Sequence, residues 1–192
     1  MSINSINNVN NNALLGVELE ILKYPNPELK KISEPVTEFN DELKEFIEKM
    51  YRTMRACDGV GLAAPQVGVL KTLAVVEYDN QAYTLINPRV IDEGGEQEGE
   101  EGCLSFPGIY AQVKRPQWVK IEAQDETGAV KVYEVKDFMA RAFLHEMDHL
   151  TGKLFIDYLS NIKRNAIKKK MQKHNLPDNK VNNNSNKRKR HV

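Results

Sequence analysis

Apolar residues recur at helical spacing in three stretches of this chain. Leu43, Phe46, Ile47, Met50 and Met54 stand at i, i+3, i+4, i+7 and i+11, one apolar stripe on a helix that Asn40 can cap. Phe138, Ala142, His145 and His149 stand at i, i+4, i+7 and i+11 on a second helix, read as starting near Asp137 as its N-cap. It stops near Thr151-Gly152, where a glycine can end it. A third runs from Ser160 to about Lys173, with Ile162, Ala166, Ile167 and Met171 on one side and basic residues on the other. Strand-like runs cover Thr72 to Glu77, Tyr83 to Ile86, Trp118 to Ala123 and Val130 to Val135; Asp125-Glu126-Thr127-Gly128 between the last two reads as a hairpin turn. Gly59 to Gly68 forms a glycine-rich turn, and Asp92 to Glu101 reads as an acidic loop leading into Gly102-Cys103-Leu104-Ser105. A helix, then strands, then helices predicts an α+β fold: a single domain of antiparallel strands packed around the second helix, with a C-terminal helix.

With 192 residues, 41% apolar and 28% charged, the chain suits one soluble domain. No apolar run is long enough to span a membrane, and the first residues lack the basic start of a secretory signal. Two cysteines cannot build a disulfide framework, which points to a reducing compartment. Six of the first twelve residues are Asn, as are six of the twelve from Asn175 to Asn186, so residues 1–16 and 174–192 are expected to be disordered around an ordered 17–173. The zero net charge hides a division: residues 161–192 carry eleven Lys/Arg against one acid, leaving the body strongly acidic. A basic end closing on Lys187-Arg188-Lys189-Arg190 reads either as a solvated tail or as a contact for a polyanion such as RNA.

The second helix carries His145-Glu146-Met147-Asp148-His149, an HExxH sequence. One turn separates the imidazoles, so both can face one ion while Glu146 reaches an adjacent water. The third ligand decides the class. The glycine of the extended HExxHxxGxxH pattern is present as Gly152, but Phe155 stands where the last histidine would be, and no Glu follows Glu146. Cys103, in a loop beside Gly102, is the leading candidate; Asp157 or a tail histidine would instead make a zincin-type protease. Three ligands leave a position open for water, whereas Cys57 as a fourth would close the site into a structural, non-catalytic one. The Gln66 side-chain amide and the Leu104 backbone N–H are candidate oxyanion donors that spacing alone does not assign.

Gly59-Val60-Gly61-Leu62-Ala63-Ala64-Pro65-Gln66, Glu101-Gly102-Cys103-Leu104-Ser105 and His145-Glu146-Met147-Asp148-His149 together resemble the peptide deformylase family, in order and in spacing. Tyr24-Pro25-Asn26-Pro27 with Leu29 and Pro35-Val36 is similar to its N-terminal segment. The resemblance covers roughly Leu19 to Tyr158 and implies hydrolysis of the formyl group from N-formylmethionine on new bacterial or organellar polypeptides; a bacterial cytoplasm, rather than an organelle, and a monomer are expected. It implies Cys103, His145 and His149 as ligands of one divalent metal, Fe2+ with Zn2+, Ni2+ or Co2+ as substitutes. Glu146 would move protons, and Gln66 and the Leu104 amide would hold the oxyanion. The methionine pocket would draw on Val60, Glu101, Phe138, Ala142 and the stem of Arg141, with Gly61, Gly102 and the Gly108–Tyr110 loop toward the peptide backbone. Glu101 has a second reading, a brace paired with Arg115, and Asp148 another supporting place. The basic C-terminal helix and tail would meet ribosomal RNA.

Overall fold

The computed structural model describes residues 18–174, with side chains to residue 172. Of the ends expected to be disordered, residues 1–16 and 175–192 lie outside the described residues, while His174 is the last residue of a helix. Helix α1, Asp41–Ala56, opens where Asn40 accepts a hydrogen bond from Leu43 N at 3.0 Å, and it buries Ile47, Met50, Tyr51, Thr53 and Met54. Strands β1 (Gly61–Ala63), β2 (Leu73–Tyr78), β3 (Gln81–Gly94), β6 (Trp118–Gln124) and β7 (Val130–Lys136) form an antiparallel sheet in the order β1-β2-β3-β6-β7. A separate hairpin pairs β4 (Gln97–Gly102) with β5 (Tyr110–Arg115). Helices α2, Asp137–Leu150, and α3, Asn161–His174, complete the chain.

Strand β2 explains the layering. Leu73 and Val75 belong to the α1 core, whereas Val76 joins Ala140, Ala142 and Phe143 of α2 in a second core. Alternate side chains of a strand point to opposite faces, so α1 and α2 cover opposite sides of the sheet. Strand β6 shows one buried face, Val119, Ile121 and Ala123, alternating with Lys120, Glu122 and Gln124. A third core lies under the β4–β5 hairpin, where Cys103, Phe106, Ile109, Val113, Leu154, Phe155 and Met171 meet.

Three expectations need correction. The acidic stretch from Asp92 is not a loop: β3 extends to Gly94, and β4 pairs residue by residue with β5, from Gln97 opposite Arg115 to Gly102 opposite Tyr110. Ladder hydrogen bonds to β5 overrule a composition poor in strand formers. The cap of α2 is Lys136, and Asp137 is the first helical residue, with φ of 53°. The last helix begins at Asn161, and Ile162 is 84% exposed, because only its later turns, through Ile167 and Met171, reach the third core. The end of α2 is as expected: Thr151 caps it, and Gly152 follows in the left-handed conformation at φ of 72°.

Gly152 meets two demands at once. Its φ lies in the left-handed region, and a Cβ there would stand 2.3 Å from the Lys30 carbonyl oxygen. Gly152→Ala should lower stability by at least about 1–2 kcal/mol from the backbone strain, seen as a lower urea midpoint at unchanged slope.

The β6–β7 turn depends on the buried Asp125 carboxylate, which takes an ion pair from Lys131 at 2.8 Å and hydrogen bonds from Thr127 Oγ1 at 2.6 Å, Thr127 N at 2.9 Å and Ala129 N at 3.1 Å. Lys131, then these hydrogen bonds, hold its pKa well below the ordinary carboxylate value. A depressed folded pKa gives stability that is present above the unfolded value, near 4, and is lost as pH falls through the folded one. Asp125→Ala should therefore cost about 1–3 kcal/mol at pH 7. Denaturation curves of the two proteins should converge in acid.

Candidate active site

Helix α2 crosses behind β1 and β2 and turns His145 and His149, one turn apart, inward beneath the β4–β5 hairpin. Cys103 follows directly after β4. The ligand atoms of Cys103, His145 and His149 lie within 4.8 Å of one another, and all three residues are buried. Cys103 Sγ is 3.3 Å from His149 Nε2.

His145 is held from behind. Glu101 Oε2 is 2.8 Å from His145 Nδ1, and Arg115 grips the same carboxylate with two bonds, Nε to Oε1 at 2.7 Å and Nη2 to Oε2 at 2.9 Å. Arg115 Nη1 also donates to Asp148 Oδ2 at 2.6 Å and to Tyr158 Oη at 2.9 Å. A proton on Nδ1, shared with Glu101, leaves the His145 Nε2 lone pair directed into the cluster. Among the described residues that Nε2 has no hydrogen-bond partner, an orphan that a metal ion would satisfy. A thiol and two imidazoles are donors for a borderline-soft divalent ion, so the residues present fit a metal.

The electrostatics agree. Burial opposes ionisation of Glu101, but its bonds from Arg115 and His145 outweigh this and hold its pKa at about 2. Burial likewise works against a charged His145, and the proximity of Cys103 and the bond to the Glu101 carboxylate more than offset it, raising its pKa well above the usual value. His149 moves well below, first through burial and then through the neighbouring positive charges of His145 and Arg115. The cluster thus favours a cation at the His145–Cys103 position, where proton and metal compete for the same lone pairs.

Glu146 is fully enclosed, and neither carboxylate oxygen has a partner among the described residues. Burial pushes its pKa up to about 7. Gly61 faces it so closely that a Cβ there would be 2.2 Å from Glu146 Oε1, which is why that position admits no side chain. Gln66 sits in a 3-10 turn, Ala64–Val67; its Oε1 accepts from Ala63 N at 2.8 Å, turning Nε2 toward Cys103 Sγ at 3.4 Å and Ser105 Oγ at 3.2 Å. Leu104 is buried beside Cys103, and among the described residues its N–H has no acceptor.

The remaining residues singled out from the sequence divide. Val60, Ala142 and Phe138 share the core that flanks the site, Phe138 with its ring 4.6 Å from that of Tyr78. The Arg141 guanidinium lies against Gly99 and donates to Gln97 Oε1 at 2.7 Å. Gly102 ends β4 opposite Tyr110. Glu101 has no exposed surface and spends both oxygens on Arg115 and His145, the bracing arrangement.

Two expected alternatives fail on position. Cys57, at the end of α1, is outside the cluster, so the closed four-ligand site is not formed. Asp157 pairs with Lys30 and accepts from Leu154 N, so it is not the third ligand. The tail histidines have no described side chains. Tyr158, Ser105 and Lys23, the last donating to Leu104 O, went unread as site residues; long sequence separations from their partners leave no local pattern that marks them.

Residues 18–165 match the family model described as Polypeptide deformylase. The chain is 48% identical to peptide deformylase 1 of Bacillus cereus over 71% of its own length and 89% of that protein's. It is 49% identical to the peptide deformylase of Caldanaerobacter subterraneus, over 71% of itself and 86% of the relative. The fold resembles the crystal structure of a peptide deformylase from Legionella pneumophila, with TM-score 0.78 and 39% identity over 81% of this chain and 94% of that one. A Synechococcus elongatus peptide deformylase in complex with actinonin gives TM-score 0.77 at 37% identity, over 81% and 87%. By sequence and by fold, this chain belongs to the polypeptide deformylase family.

Proposed function

We propose that this chain hydrolyses the formyl group from N-formylmethionine at the start of new polypeptides, releasing formate, with Cys103, His145 and His149 holding one divalent ion, Fe2+ by preference. The observation that carries the reading is the pairing of that buried donor set with an enclosed Glu146 carboxylate that has no partner among the described residues. When bound, the ion supplies a Lewis acid that makes water nucleophilic near neutral pH.

The chain's own residues do the rest. Glu146 takes a proton from the attacking water and returns it to the departing methionine nitrogen, so one water is consumed and formate and a free amine result. As the formyl carbon becomes tetrahedral, charge collects on its oxygen. The Gln66 Nε2–H and the Leu104 N–H are donors fixed in advance for that oxygen, in a site where little water competes. Glu101 and Arg115 keep His145 turned so that Nε2 faces inward. The methionine side chain would rest against Val60, Phe138, Ala142 and the Arg141 stem, with Gly61 against the peptide. We further place the protein in the cytoplasm as a monomer, with the basic side of α3 and the tail meeting ribosomal RNA.

Formate release from a formyl-Met tripeptide, measured on anaerobically prepared full-length protein loaded with Fe2+ or Ni2+, tests the reading. Glu146→Ala should lower kcat by about 10²–10⁴-fold while metal content stays at that of the wild type. Cys103→Ser should lose metal stoichiometry as well as turnover. No formate from the metal-loaded wild type would sink the assignment. Gly61→Ala should reduce turnover through displacement of Glu146, again with the metal retained. Deletion after Leu176 should weaken ribosome binding and its salt dependence without changing turnover of the tripeptide; unchanged binding would remove the RNA contact.

A further inference from the structure

The segment Ile21 to Tyr24 takes no part in the chemistry above, yet it is tied to both loops that supply the oxyanion donors. Leu22 N donates to Gln66 O at 2.7 Å, Tyr24 N donates to Ser105 O at 3.0 Å, and between them Lys23 Nζ donates to Leu104 O at 2.6 Å. The segment is anchored on both sides of the lysine. Ile21 is buried in the α1 core, and the Tyr24 ring stacks on Phe106 at 4.9 Å.

We propose that Lys23 is a positioning residue for deformylation, holding Leu104 through its carbonyl so that the Leu104 N–H stays aimed at the formyl oxygen. This rests on the donor role given to Leu104 above. Leu104 joins two peptide groups: its N–H belongs to the one shared with Cys103, and its C=O to the one shared with Ser105. Fixing the carbonyl direction limits rotation about Leu104 and therefore the direction of the N–H. A hydrogen bond from a charged group is shorter and stronger than one from a neutral donor, which suits the task. The ammonium also places positive charge beside a site where negative charge develops.

Its position on the chain makes the assignment specific. The bonds from Leu22 and Tyr24 are backbone bonds that any residue but proline supplies, whereas only a long cationic side chain at position 23 makes the third. Lys23 as a residue stays exposed, but its ammonium end is turned inward, away from the solvation a surface lysine retains. That orientation is a cost without return unless the Leu104 contact matters.

The test compares wild type, Lys23→Met and Lys23→Arg as metal-loaded full-length proteins. Three quantities are read: kcat and KM for the formyl-Met tripeptide, metal stoichiometry, and hydrogen exchange of the Phe106 amide, which Cys103 O accepts at 2.8 Å within the same turn. Lys23→Met should lower kcat by about 5–10-fold, with KM within about twofold, metal content unchanged and Phe106 exchange faster by a similar factor. Arginine, which donates to the same carbonyl, should restore most of both losses. Wild-type kcat and wild-type exchange in Lys23→Met would overturn the proposal. So would equal impairment of both variants with KM raised in step, the mark of general loosening. If the wild type itself releases no formate, the proposed function falls, and the exchange comparison still decides whether Lys23 holds the turn.

Discussion

The arrangement of this site depends on one buried carboxylate. Glu101 lies between the Arg115 guanidinium and the His145 imidazole, without solvent access, and so joins the β4–β5 hairpin to α2. Taking a carboxylate and a guanidinium out of water costs several kcal/mol each, and their attraction repays it only when geometry is good and every polar atom is used. Here the fork of Arg115 is bidentate on Glu101, and its remaining nitrogen serves Asp148 and Tyr158. The carboxylate has its second oxygen on His145. A neutral substitute could fill the space, but it could not fix which imidazole nitrogen carries the proton. The price in stability secures a histidine that presents a lone pair to Cys103 and His149.

Around that link the fold supplies rigid supports from different directions. Two of the three candidate ligands and Glu146 come from one helix whose other buried residues, Ala140, Ala142 and Phe143, are locked into the sheet core. The third candidate ligand, Cys103, follows a strand held by six paired positions of a hairpin. Gln66 comes from the turn between β1 and β2, fixed by its own bond from Ala63 N. A functional group on a helix or directly at a strand end inherits the precision of the element, and rigid placement is what electrostatic stabilisation of a transition state requires. Gly61 shows how little freedom remains, since β1 passes so near Glu146 that a methyl group there has no room.

Much of this was legible in the sequence, and the reasons are local. The α1 stripe, the β6–β7 hairpin and the HExxH helix each announce themselves within a dozen residues through periodicity or turn chemistry. The clustering of Cys103 with His145 and His149 was readable because the two histidines share a helix and the absence of a downstream Glu pointed upstream for a third candidate ligand. The β4 strand was not legible: its sequence, Gln-Glu-Gly-Glu-Glu-Gly, has no strand propensity, and it is a strand because β5 pairs with it. Arg115 with Tyr158, Gln66 with Ser105, and Lys23 with Leu104 are contacts across 43, 39 and 81 residues. No spacing rule reaches such distances. Ile162 erred in the other direction, for helical periodicity identifies an apolar stripe but not how much of it finds a surface to cover.

The same distinction separates residues that bind from residues that aim. Cys103, His145, Glu146 and His149 carry chemistry in their own functional groups, so their identity reveals them. Glu101, Arg115 and the strap at Lys23 act on a nitrogen tautomer or a peptide plane belonging to another residue, and they could stand at any point in the chain that the fold returns to the site. A backbone N–H donor such as that of Leu104 has no side chain to mark it at all. Its direction is set by whatever grips the adjoining carbonyl, which here is the ammonium of a lysine from the opposite end of the domain. Placing donors with an accuracy that favours the transition state over the substrate therefore draws on side chains outside the three motifs, Arg115 and Lys23 among them.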